Sequence, residues 1–77
     1  MIYLKTKNST VFAFDNETGV TFIFKNGKWK FSEIIYGILI QDEDIEEISE
    51  MQAKELTSGA NIENILQKVR TVLDITI

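Results

Sequence analysis

The chain contains no cysteine and no histidine, and those two absences remove more chemistry than any residue present supplies. Without thiols there is no disulfide framework, and without either ligand there is no zinc site to brace a small fold. A Ser-His or Cys-His nucleophile pair is excluded as well. Ser9, Ser32, Ser49 and Ser58 each fall at an expected turn, strand edge or helix cap, where capping accounts for them. The four glycines (Gly19, Gly27, Gly37 and Gly59) are isolated, so no glycine-rich phosphate loop exists. Long apolar runs are missing too. Ile34 to Ile40 spans seven residues, against about 20 for a membrane-crossing helix. Met1-Ile2-Tyr3-Leu4-Lys5 lacks the basic start and apolar stretch of a secretory signal. The expected setting is cytoplasmic, with no membrane partner. Asn8-Ser9-Thr10 and Asn16-Glu17-Thr18 then read as turns instead of glycosylation acceptors.

What remains is a 77-residue chain with 44% hydrophobic residues, enough for one core and one domain, 1–77. Its charge is divided. Residues 1–31 hold Lys5, Lys7, Lys25, Lys28 and Lys30 against Asp15 and Glu17, whereas residues 32–77 hold ten acidic residues against Lys54, Lys68 and Arg70. All eight aromatic residues lie between Tyr3 and Tyr36.

Residues 1–40 read as a β-meander. Asn26-Gly27 predicts a type I′ hairpin turn, since both residues tolerate positive φ. The two-residue loop sets Phe24 opposite Trp29 and Phe22 opposite Phe31. A loop over Asp15–Gly19 pairs Phe14 with Val20 and Phe12 with Phe22, and a turn over Lys7-Asn8-Ser9 pairs Leu4 with Phe12 and Ile2 with Phe14. These registers gather Ile2, Leu4, Phe12, Phe14, Val20, Phe22, Phe24, Trp29 and Phe31 on one face. The other face then carries Tyr3, Lys5, Val11, Ala13, Thr21, Ile23, Lys25, Lys28 and Lys30, toward solvent. Ile34, Tyr36, Ile38 and Ile40 alternate as in a strand, although Phe31, Ile34, Ile35, Ile38 and Leu39 also fit a helical stripe. The β-branched residues and Gly37 favour the strand.

Residues 41–48 form an acidic connector, and residues 49–77 are helical. Ser49 with Gln52 matches a capping box, Ile48 can staple onto Ala53, and a first helix over 50–57 ends at Ser58-Gly59. Asn61 caps a second helix with Ile62, Ile65, Leu66, Val69, Val72 and Leu73 at helical spacing. The expected architecture is α+β: an antiparallel meander of four or five strands with two C-terminal helices packed on one face.

Asp42, Glu43, Asp44, Glu46, Glu47 and Glu50 crowd six carboxylates into nine residues. Calcium is a poor match. An EF-hand loop beginning at Asp42 meets Glu47 at its glycine position and Ala53 at its bidentate-glutamate position. A paired-carboxylate hydrolase lacks a pocket and a substrate clamp. The basic sheet face lacks the row of aromatic platforms that single-stranded nucleic acid requires. Two readings stay open: a solvated connector, the usual role of a charge run, and a docking strip for a protein with a basic surface. No cofactor, metal or catalytic residue is expected.

In layout the chain resembles small proteins of phages and prophages: the opening Met1-Ile2-Tyr3-Leu4-Lys5-Thr6-Lys7 of a short meander, an acidic stretch, and the segment Ile48-Ser49-Glu50-Met51-Gln52-Ala53-Lys54-Glu55-Leu56-Thr57. Among these it is similar to the anti-CRISPR class in size and acidity. That resemblance implies a non-catalytic inhibitor that blocks a basic surface of a nucleic-acid-handling host complex. A phage structural or assembly factor, or a toxin-neutralising immunity protein, shares the same features.

Overall fold

The computed structural model describes residues 1–41 and 44–76. Strands β1 (Ile2–Lys5), β2 (Val11–Asp15), β3 (Val20–Lys25) and β4 (Lys28–Phe31) are followed by a short helix α1 (Tyr36–Leu39), strand β5 (Glu46–Ile48), and helices α2 (Glu50–Leu56) and α3 (Glu63–Thr76). The five strands form one antiparallel sheet in the order β4-β3-β2-β1-β5. The α+β architecture, with two C-terminal helices on one face of a meander, is the one the sequence implies.

Two of the three meander registers follow the sequence. Ile2 faces Phe14 and Leu4 faces Phe12. Phe22 faces Phe31 and Phe24 faces Trp29 across a turn in which Asn26 and Gly27 have φ of 54° and 76°. The middle register is shifted by one residue. Asp15 pairs with Val20 and Phe12 with Ile23, in place of Phe14 with Val20 and Phe12 with Phe22. The reason is Asp15. A charged residue reads as loop, yet here it ends β2 with its side chain buried, and the loop shortens to Asn16–Gly19. Gly19 (φ 75°) donates its N–H to the Asp15 carbonyl at 2.7 Å.

A one-residue slip exchanges faces, so the aromatic set divides. On the inner face, Ala13 and Phe22 pack with Ile62, Leu66 and Val69 of the α3 segment, with Tyr3, Val20, Trp29 and Ile65 around them. Val11, Ile48 and Ala53 form an adjoining cluster under α2. Val11 and Ala13, expected toward solvent, are therefore core. Leu4 and Phe12 look the other way and need a separate cover. It is α1, whose Leu39 joins them while Ile2, Ile23, Tyr36 and Ile45 pack alongside. Tyr36 stacks on Phe14 with ring centroids 4.2 Å apart. The strand expected over 34–40 is thus a helix over its centre, because Tyr36 and Leu39 at three-residue spacing reach one surface together. With both faces covered, Val11, Phe12 and Ala13 of central β2 are all buried. Complete burial of a Phe-sized side chain contributes roughly 1.5–3 kcal/mol.

The fifth strand lies inside the stretch expected to be an acidic connector. Ile48 pairs with Tyr3, Glu47 with Leu4 and Glu46 with Lys5. Acidic residues are poor strand formers, but an edge position leaves their carboxylates in water.

Both C-terminal helices are capped as the sequence implies. The Ser49 Oγ accepts the Gln52 N–H at 3.1 Å, and the Gln52 Oε1 accepts the Ser49 N–H at 3.1 Å. The chain leaves α2 through Ser58 and Gly59, both at positive φ, with the Gly59 N–H donating to the Lys54 carbonyl at 2.7 Å. The Asn61 Oδ1 accepts the Glu63 N–H at 2.8 Å. Val72 is exposed, and the side chain of Leu73 lies outside the described ones.

Candidate functional site

Of the six crowded carboxylates, Asp42 and Glu43 lie outside the described residues. Asp44 is exposed in the turn before β5. Strand geometry then separates its neighbours, since successive side chains leave opposite faces. Glu46 falls on the inner face beside Lys5, with an ion pair of 3.2 Å. Glu47, opposite Leu4, falls on the outer face. Glu50 opens α2, where a negative charge suits the helix N-terminus, and lies 3.8 Å from Lys54 one turn on. The run is therefore not one ridge. It is an acidic edge whose members serve three surroundings, and the exposed pairs within it contribute little to stability, of order 0–1 kcal/mol each.

On the inner side this edge continues into a cleft between the start of α2 and the start of α3. Tyr3 and Trp29 line it with Glu50, Lys54, Asn61 and Glu63. A neighbouring depression is lined by Met1, Tyr3, Ser49, Glu50, Glu63 and Arg70, and Glu47 of the edge strand also borders it. Tyr3 belongs to both. Its phenol is pushed above the ordinary value of 10.0, first by burial and then by the negative charges of Glu50 and Glu63. The hydroxyl therefore stays protonated at neutral pH. The Tyr3 and Trp29 rings stand 6.5 Å apart at 55°, and the Trp29 indole N–H points to the Ala60 carbonyl at 3.4 Å. Aromatic rings beside two carboxylates, of which Glu50 already has Lys54 at 3.8 Å and Glu63 does not share that pair, can receive a further cationic side chain.

A second charged group is structural. Asp15, 1% exposed, accepts the Thr18 hydroxyl at 2.8 Å and the Glu17 N–H at 3.2 Å. Arg70 of α3 reaches it at 3.5 Å and Glu17 at 3.2 Å. Burial pushes the Asp15 carboxyl up, but Thr18, the Glu17 amide and Arg70 together hold it below the ordinary 3.8. This cluster fastens the β2–β3 loop to α3.

The sequence reading missed Tyr3, which it placed toward solvent, and Glu63, which it did not single out. Both become neighbours of Glu50 only once β1 pairs with β5 and the two helices land on the same face. Among the described residues, no group of three or more acidic side chains is placed to hold a metal ion, and no helix is long and apolar enough to cross a membrane. No family model matches the chain, and no match is found among curated proteins or solved structures.

Proposed function

We propose that the chain is a non-catalytic protein-binding module whose β5–α2 edge and adjoining cleft receive a basic segment of a partner. The observation that supports this most directly is the placement of Glu50 and Glu63 about Tyr3, beside Trp29, in an open cleft. Lysine or arginine inserted there meets two carboxylates and an aromatic wall, and the negative charge of the neighbouring acidic edge steers association. The form of this reading we favour is an inhibitor from a phage or another mobile element. It would act in the cytoplasm by covering a basic, nucleic-acid-handling surface of a host complex, and the net charge of −4 suits that task. The exposed isoleucines around α1 favour a second reading, a phage structural or assembly factor that holds its partner through apolar contact.

Salt separates the two. Immobilised wild-type protein and the Glu50→Gln/Glu63→Gln variant would capture partners from a host lysate at low and at high ionic strength, with bound proteins identified by mass spectrometry. An electrostatic contact is screened over about 10 Å at 0.1 M salt, so high salt should release the partner and the variant should retain roughly tenfold less of it. Equal capture by both proteins, unaffected by salt, would transfer the function to the apolar surface.

A further inference from the structure

Strand β4 closes one edge of the sheet, and its hydrogen bonds show which of its peptide groups point outward. The Ser32 N–H donates to the Thr21 carbonyl at 2.9 Å, which makes Thr21 and Ser32 a hydrogen-bonded pair. Bonded and non-bonded pairs alternate along an antiparallel ladder. Lys30 with Ile23 and Lys28 with Lys25 are therefore bonded pairs too, and the N–H and C=O groups of Trp29 and Phe31 turn away from β3.

On the inner face, a groove runs between this edge and α3. Phe31, Ile65, Val69 and Val72 line its apolar part, and it continues past Ile65 and Lys68 to Trp29. Phe31 and Val72 are 59% and 58% exposed. On the outer face the same strand presents Lys28 and Lys30, with Lys25 directly opposite Lys28. Like charges set opposite one another cost stability. Among the described residues, no carboxylate pairs with Lys25, Lys28, Lys30 or Lys68.

We propose that the β4 edge receives an extended segment of a partner protein as a sixth, antiparallel strand, in which acidic residues alternate with apolar ones. Directly opposed residues in such a ladder share a face. Residues opposite Trp29 and Phe31 bond to the outward peptide groups and lay apolar side chains over the groove. Residues opposite Lys28 and Lys30 form the non-bonded pairs, whose Cα atoms stand about 4.5 Å apart. Aspartate or glutamate at those positions meets each lysine within side-chain reach. A second copy of the chain does not suit this edge. Antiparallel registers centred on Trp29 or Lys30 set Lys30 against Lys28 or against itself, and lysine on an edge strand discourages pairing of that kind. The proposal goes beyond the cleft reading and rests on a different surface, since the basic segment enters between α2 and α3 and the acidic one adds outside β4.

Nuclear magnetic resonance of the full, isotope-labelled chain tests it. The probes are two short capped peptides, one alternating glutamate with valine and the other lysine with valine. The acidic peptide should bind saturably and slow solvent exchange of the Trp29 and Phe31 amides by roughly tenfold. The amides of Lys28 and Lys30, already bonded to β3, should change little. Lys28→Glu/Lys30→Glu alters exposed side chains only, so its circular dichroism should match wild type. Its affinity for the acidic peptide should fall by roughly tenfold or more, and it should gain the basic one. Glu50→Gln/Glu63→Gln, in the cleft, should bind the acidic peptide as wild type does. No saturable change at β4 with the acidic peptide up to millimolar concentration would overturn the proposal, as would equal binding of both peptides by wild type. Binding that leaves Trp29 and Phe31 exchange unchanged would overturn strand addition. Self-association of wild type that Lys28→Glu/Lys30→Glu abolishes would assign the edge to another copy instead.

Discussion

Asp15 offers the sharpest test of how this small fold holds its middle register. Replacing it with Ala removes the acceptor for the Thr18 hydroxyl at 2.8 Å and the Glu17 N–H at 3.2 Å, and leaves Arg70 with only Glu17. Hydrogen bonds to a charged group contribute about 1.5–3 kcal/mol each. Two considerations lower the total. Glu17 is exposed and Arg70 is 41% exposed, so both donors recover water, and the variant no longer has to desolvate a carboxylate. A net loss of about 2–3 kcal/mol follows, or a fall in melting temperature of roughly 10–20 °C for a domain of this size. Thermal and urea unfolding monitored by the single tryptophan, Trp29, would measure it. The pH dependence gives an independent check. Because the folded-state pKa of Asp15 is depressed, its contribution is fully present above the unfolded value near 4 and is lost as pH falls below that, through the folded pKa. Asp15→Asn should remove this part of the acid sensitivity. An Asp15→Ala protein that melts with wild type would refute the reasoning, and so would an Asp15→Asn protein whose acid profile parallels it.

Trp29→Ala should cost about 3 kcal/mol, below the upper end for a fully buried ring because Trp29 is half-buried against Phe24, Tyr3 and Ala60; chemical denaturation followed by circular dichroism would show it. Ser49→Ala should lower stability by about 1 kcal/mol through loss of the N-cap of α2, measurable as a shift in urea midpoint at unchanged slope.

The parts of this fold that the sequence made legible are those decided by local chemistry. Asn26-Gly27 determines its own turn and hence the β3–β4 register. Ser49, Gln52, Gly59 and Asn61 mark helix ends through bonds reaching only a few residues. What escaped depended on distant partners. Asp15 reads as loop until Arg70, fifty-five positions away, provides a reason to bury it, and the resulting slip redistributes every side chain of β1 and β2 between the two faces. The helix at 36–39 follows from that slip, since Leu4, Phe12 and Phe14 would otherwise face water. The acidic run was visible as charge, but its division by β5 was not. That division depends on pairing with Lys5 and Leu4 at the far end of the chain, and the same pairing makes Tyr3 and Glu63 part of the cleft.

Pairing of β5 with β1 also has a kinetic consequence. Strands β1 to β4 are joined by tight turns, so their contacts can form with little loop-closure cost. Tyr3 and Ile48 meet only after the whole intervening chain has closed upon itself, and three residues of ladder must then hold the edge. The meander should collapse first, with β5 adding late and leaving early. In hydrogen exchange this separates the amides into two populations. Those of β2 and β3 await global unfolding, while those of β5 open through a cheaper, local excursion. The cleft inherits that asymmetry. Tyr3 sits on the strand to which β5 attaches, and Glu50 begins two residues after β5 ends, so one wall of the cleft is hung on the shortest ladder of the sheet. A partner bound there should slow exchange at β5 more than anywhere else in the protein.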